Sequence, residues 1–128
     1  MIMLLKKYWL SILAILIIFV LCFINTAAFV QLPPVRNFDK FVHFILFLGL
    51  SGVIFFDNTS YLRYSISKVR ISLGSFYIPT AIGGLIEIMQ SVLTRSRTGD
   101  WFDFLCDGIG AIIGMGIALI INRYLKSK

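Results

Sequence analysis

The sequence predicts an all-α, polytopic membrane protein: a bundle of four transmembrane helices with both termini cytoplasmic. Three observations predict it. Of 128 residues, 59% are hydrophobic and only 14% charged, with a mean hydropathy of +0.91. A soluble domain of this size could not cover so much apolar surface with so little polar material, whereas lipid can replace the polar shell. The apolar residues gather into four runs, each near the ~20 residues a helix needs to cross the hydrocarbon core. The bases sit at the ends of those runs, as membrane orientation requires. The length allows one bundle and no second domain, so residues 1–128 read as a single integral membrane domain.

The first run, 9–30, follows the pair Lys6–Lys7. Together with Thr26-Ala27-Ala28 it resembles a signal peptide, but its apolar stretch is long for one, and a retained helix is expected. The second run covers 38–56, the third 71–93 and the fourth 102–124. Strands fit poorly, because a lipid-spanning barrel uses alternating segments of about ten residues and these runs are longer and continuous. Pro79 lies inside the third run, where it is expected to kink the helix and free a carbonyl. The connections are then 31–37 with Pro33–Pro34, 57–70, and 94–101.

Eight bases (Lys6, Lys7, Arg63, Lys68, Arg70, Arg123, Lys126 and Lys128) belong to the N-terminus, the second connection and the C-terminus. Four (Arg36, Lys40, Arg95 and Arg97) belong to the first and third connections. The excess marks the cytoplasmic side. Counting Asp57, that side carries net +7, and the outer side, with five of the six acids, carries −1. The expected location is a membrane that borders the cytoplasm on this side. Bases scattered at helix ends do not form a nucleic-acid-binding face, and no nucleic-acid partner is expected.

Five acids, Asp39, Glu87, Asp100, Asp103 and Asp107, thus fall on the outer side with the only histidine, His43. Ionisable groups within helices of so apolar a chain face a bundle interior or an aqueous cavity. Asp39 and His43 are four apart and share a helix face. Glu87, Gln90 and Ser91 are expected to share another, which Gly83 and Gly84 continue inward. Asp103, Asp107, Gly110 and Gly114 recur at i, i+4, i+7 and i+11, and the glycines form a GxxxG spacing that admits a neighbouring helix. The stripe that carries the aspartates is therefore the stripe that packs.

Each group also has a plainer role. Asp39, Asp100 and Asp103 lie at helix N-termini, where carboxylates cap amides, and capping is the favoured reading of Asp100. His43 alone could simply hydrogen-bond inside the bundle. Arg95 and Arg97 could anchor helix ends at headgroup level. Glu87 resists this reading, because it lies about seven residues, or ~10 Å of helix rise, below the connection. Cys22 and Cys106 lack metal-ligand spacing and read as small core residues.

The ordered set Asp39-Lys40 with His43, Glu87-x-x-Gln90, and Arg97-x-x-Asp100-Trp101-x-Asp103-x-x-x-Asp107-x-x-Gly110-x-x-x-Gly114 resembles the VanZ-like membrane protein family. The resemblance covers residues 39–114 and leaves the first run unmatched. Where many members carry asparagine, this chain has Asp107, which adds a negative charge. The family takes its name from a protein associated with resistance to the glycopeptide teicoplanin. A role at the bacterial cell envelope is what the resemblance implies.

Two functions are open at this point. In the first, the protein acts on a lipid or lipid-linked envelope precursor from the outer leaflet. His43 serves as acid or base, Asp39 orients it, and Glu87 and Asp103 are further catalytic candidates. Arg97, Arg95, Gln90 and Asp107 are the candidates for holding an anionic substrate. A metal-bound variant would use His43, Glu87, Asp103 and Asp107. The chain has no helical HExxH or other dense ligand motif, so a divalent metal is the minority reading and the cofactor is left open. In the second, the cluster is a structural network in a lipid- or partner-binding module, with Glu87–Arg97 and His43–Asp103 pairs. Membrane lipids are the expected partners in both, and the oligomeric state is not legible.

Overall fold

The computed structural model describes residues 2–24, 37–61, 68–93 and 99–127. They form five helices, α1 (Ile2–Lys7), α2 (Trp9–Phe23), α3 (Phe38–Tyr61), α4 (Lys68–Leu93) and α5 (Trp101–Lys126), with no strand among them. The helices α3, α4 and α5 are each long and apolar enough to cross a membrane, whereas α2 is a shorter apolar helix of 15 residues. The first run is thus helical over its first 15 residues, and residues 25–30, with the Thr26-Ala27-Ala28 sequence, lie outside the described residues.

Two boundaries differ from the sequence reading. The helix α3 continues past 56 to Tyr61 and takes in Asp57, which was assigned to a connection, and α4 begins at Lys68 rather than at 71. Asp57 is buried, and its Oδ2 accepts hydrogen bonds from the Ser11 amide (3.0 Å) and the Ser11 hydroxyl (2.6 Å). Ser11 lies in the first turn of α2, where amides have no helical acceptor. A carboxylate from a neighbouring helix supplies one, which is why Asp57 stays inside the bundle. Beside it the Tyr8 hydroxyl donates to Asn58 Oδ1.

Side-chain contacts fix the helix directions. Ser11–Asp57 joins the start of α2 to the end of α3, and the Gln90 amide donates to the Cys22 carbonyl at the end of α2. The Lys40–Asp103 and His43–Asp107 contacts set α3 parallel to α5. Glu87 meets Asp100, so α4 runs against α5. From α2 to α5 the helices alternate in direction.

Each helix buries one stripe at three- and four-residue spacing. Ile18 and Cys22 from α2 pack with Phe47, Leu50 and Ile54 from α3 and Ile86 from α4. The buried residues of α5 are Asp103, Asp107, Gly110, Ala111 and Gly114. Side-chain carbons added at Gly110 and Gly114 would collide with the backbone of Phe44 and of Leu48, so hydrogen alone lets α3 and α5 touch. Pro79 is accommodated within α4. Proline has no N–H for the Ser75 carbonyl four residues earlier, and the Ser51 hydroxyl on α3 lies 2.7 Å from that oxygen and 2.8 Å from the Ala111 carbonyl.

The polarity is inside out. His43, Ser51, Ser75, Glu87, Gln90, Asp103 and Asp107 are buried, while Leu16, Ile17, Ile88, Ile112, Ile113 and Ile120 are exposed. Water would penalise that arrangement and lipid does not. The protein is embedded in a membrane and crosses it more than once.

Candidate functional site

Three helix ends meet at the acid-rich end of the bundle: the start of α3, the end of α4 and the start of α5. His43 stands one turn into α3 and is 2% exposed. Its Nδ1 lies 3.0 Å from Asp107 Oδ1, and the Phe47 ring stacks on the imidazole with centroids 6.4 Å apart. Asp107 is fully buried. It fits against α4 because residue 83 is glycine, since a side-chain carbon at Gly83 would overlap the Asp107 carboxylate.

Glu87 reaches the same histidine from α4, with Oε1 3.9 Å from His43 Nδ1. Its other oxygen, Oε2, accepts the Asp100 amide at 2.7 Å. Gly99 permits that approach, as a side chain there would strike the Glu87 carbonyl. Two buried carboxylate oxygens, Glu87 Oε1 and Asp107 Oδ2, have no hydrogen-bond partner among the described residues. Oxygens so placed are costly in a low-dielectric interior unless a cation or proton meets them.

Lys40 closes the acid-rich end of the bundle. Its Nζ lies 2.6 Å from Asp100 Oδ2 and 2.9 Å from Asp103 Oδ1, tying α3 to the first turn of α5. Asp100 is the N-cap of α5 and accepts the Phe102 amide at 2.9 Å, as its position suggested. It lies just outside the membrane-spanning helices. The Lys40 ammonium, with the Phe102 amide adding to it, holds its carboxyl below the ordinary aspartate range.

The geometry revises several expectations. The carboxylate hydrogen-bonded to His43 Nδ1 is Asp107, a candidate substrate ligand, where Asp39 had been given the orienting role. Asp39 is exposed, although one of its oxygens lies within 4.8 Å of a His43 nitrogen and an Asp103 oxygen. Asp103, a catalytic candidate, is engaged by Lys40. Gln90, a substrate candidate, donates to the Cys22 carbonyl, one of the last-turn carbonyls of α2 that lack a helical donor. Ser91 does not share the inward face, since it is exposed and bonds the Ile88 carbonyl of its own helix. Arg95 and Arg97 lie outside the described residues. Neither cysteine is in a disulfide among the described residues; Cys22 is buried and Cys106 partly so.

Lys40 is the residue that sequence reasoning passed over. It was counted as a base of the first connection and as part of the motif but given no role in the site, yet its place three residues before His43 on one helical face was a usable signal. The role of Ser51 was likewise deducible in part from the carbonyl that Pro79 frees.

Beside Glu87 a cavity of about 380 Å³ opens between α4 and α5. Its walls include Gly84, Gly99, Asp100 and Phe104, with the exposed Ile88, Ser91 and Trp101 at its rim. The constellation of Lys40, His43, Glu87, Asp100, Asp103 and Asp107 can be set against known families. The family model described as VanZ/LLP1 matches residues 2–122. The chain belongs to the VanZ/LLP1 family. The match takes in α1 and α2, which the motif resemblance over 39–114 had left out. No curated protein and no solved structure matches this VanZ/LLP1 chain.

Proposed function

We propose that this VanZ/LLP1 protein binds and modifies a lipid or lipid-linked component of the bacterial cell envelope at its acid-rich end. In this reading it is a single integral membrane domain of the cytoplasmic membrane. It crosses four times, with both termini inside and the site near the outer leaflet. The alternating direction of α2 to α5 supports the four crossings, and the split of bases supports the orientation.

One observation carries the functional reading. Glu87 has a buried oxygen without a hydrogen-bond partner among the described residues, close to His43, and it also lines the cavity between α4 and α5. A group able to exchange a proton, at the wall of a cavity rimmed by lipid-facing side chains, suits a substrate that arrives sideways from the bilayer. His43 is the acid–base group, and Asp107 orients it and stabilises its charged form. Glu87 is the second proton carrier. Arg95 and Arg97, in the connection that follows α4, are the bases proposed to hold an anionic headgroup.

A second reading has its own support. The Lys40–Asp100–Asp103 and Gln90–Cys22 contacts join helices to one another, as in a network that only shapes a lipid- or partner-binding module. The two readings part on Glu87→Gln. Mass spectrometry of lipids co-purifying with wild type and variant is the measurement, together with thermal stability and, in cells, teicoplanin susceptibility. An altered lipid profile in a variant that accumulates and melts like wild type is the expected result. Loss of folded protein with an unchanged lipid profile per molecule decides for the structural network.

A further inference from the structure

Two carboxylate oxygens and one imidazole nitrogen converge inside the polar end with too few hydrogens to satisfy them. With its proton on Nε2, His43 offers the Nδ1 lone pair 3.0 Å from Asp107 Oδ1. Asp107 Oδ2 and Glu87 Oε1 are both buried and without a hydrogen-bond partner among the described residues. A neutral imidazole with two carboxylates bears a charge of −2, and burial in a membrane bundle makes that charge expensive. One divalent cation cancels it.

The spacing suits such an ion. One ligand atom each from His43, Glu87 and Asp107 all lie within 4.8 Å of one another, and all three residues are buried. Two donors each about 2.1 Å from a common ion are about 3.0 Å apart at a right angle and about 4.2 Å apart when opposite. The Nδ1–Oδ1 separation of 3.0 Å and the Nδ1–Oε1 separation of 3.9 Å both fall in that interval. A second group, Asp39 with His43 and Asp103, shares the histidine, but Asp39 is exposed and Asp103 already binds Lys40. The buried group is the better site.

We propose that His43, Glu87 and Asp107 bind one divalent transition-metal ion of the Zn²⁺ or Mn²⁺ type, whose ligand preferences match one imidazole and two carboxylates. The metal-bound variant named from the sequence included these three residues together with Asp103, which the structure sets apart by pairing it with Lys40. Three protein ligands leave coordination positions open. Glu87 also lines the cavity between α4 and α5, so a headgroup oxygen or a water held there has an ion to bind. This inference gives His43, Glu87 and Asp107 ligand roles in place of the proton-carrying roles set out above, and rests on that reading only for the substrate.

The test begins with protein purified in mild detergent without chelator and assayed for bound metal by mass spectrometry. Chelator-stripped protein is then titrated with Zn²⁺, Mn²⁺ or Mg²⁺ while its unfolding temperature is followed. The expected result is about one ion per chain and a rise of at least about 5 °C with Zn²⁺ or Mn²⁺. Both effects should disappear in Glu87→Gln and Asp107→Asn and persist in Asp39→Asn. His43→Gln serves as a further ligand variant if either of the first two fails to accumulate. Absence of bound metal with no thermal response, or an equal response in wild type and ligand variants, overturns the site. A lipid profile altered by Glu87→Gln without any ion would end the metal proposal and leave the lipid reading intact. Stoichiometric metal with an unchanged lipid profile would do the reverse.

Discussion

Asp100 caps α5 and holds Lys40 with the same carboxylate, and the two roles can be separated by pH. Its carboxyl titrates below the ordinary value of 3.8, chiefly because of the Lys40 ammonium. A group whose folded-state value is depressed stabilises the fold above its unfolded value and loses that contribution as pH falls through the folded one. Asparagine is an equally good N-cap but carries no charge. Wild type should therefore melt above Asp100→Asn at pH 7, and the gap should close as pH drops below about 4. Equal melting of the two proteins at every pH would show that the cap alone is at work. At Gly83 the expectation is steric. Alanine there meets the Asp107 carboxylate, so Gly83→Ala should displace Asp107 from His43 and lower stability by about 1–3 kcal/mol, read by denaturant unfolding in detergent.

Helix pairs are held in two different ways, and each predicts a different mutant pattern. The α3–α5 contact depends on absent side chains. Gly110→Ala and Gly114→Ala should each cost about 1–3 kcal/mol, because the added carbon meets the α3 backbone. Gly49→Ala and Gly52→Ala, with nothing within 4 Å, should stay within about 1 kcal/mol of wild type. Equal losses at all four glycines would mean that the close approach is not what they provide. The α3–α4 contact depends instead on a hydroxyl. Ser51→Ala should cost about 0.6–1.7 kcal/mol, in the range of hydrogen bonds between membrane helices. In a Pro79→Ala background, residue 79 supplies its own N–H to the Ser75 carbonyl, and the cost of Ser51→Ala should shrink. A double-mutant cycle with no coupling would refute the link.

The whole molecule is polarised along its axis. Lys40, His43 and the five clustered acids occupy one end, and Lys6, Lys7, Lys68, Arg70, Arg123 and Lys126 belong to helix ends at the other. With both native cysteines replaced, single cysteines at Ser127 and at Thr98, in the connection between α4 and α5, should be labelled from opposite sides of intact cells. Labelling of both from one side would end the four-crossing arrangement.

The amino-acid sequence by itself determined the all-α, membrane-spanning class, the register of α5 and the gathering of the polar residues at one end of the bundle. Those features follow from local quantities. Run length and composition mark a membrane helix, and a spacing of i, i+4, i+7 and i+11 puts Asp103, Asp107, Gly110 and Gly114 on one stripe wherever that helix packs. Only the tertiary structure decided which partner each charge meets. Asp39 and Asp107 were equally eligible to orient His43, since one shares its helix face and the other lies on the packing stripe of α5. The choice fell to Asp107 because Gly83 opens α4 to its carboxylate. Asp57 looked like the start of a connection because an acid rarely continues an apolar helix. A bond to the first turn of α2, 46 residues away in sequence, keeps it inside. Contacts of that range depend on how helices are placed against one another, and no local pattern encodes them.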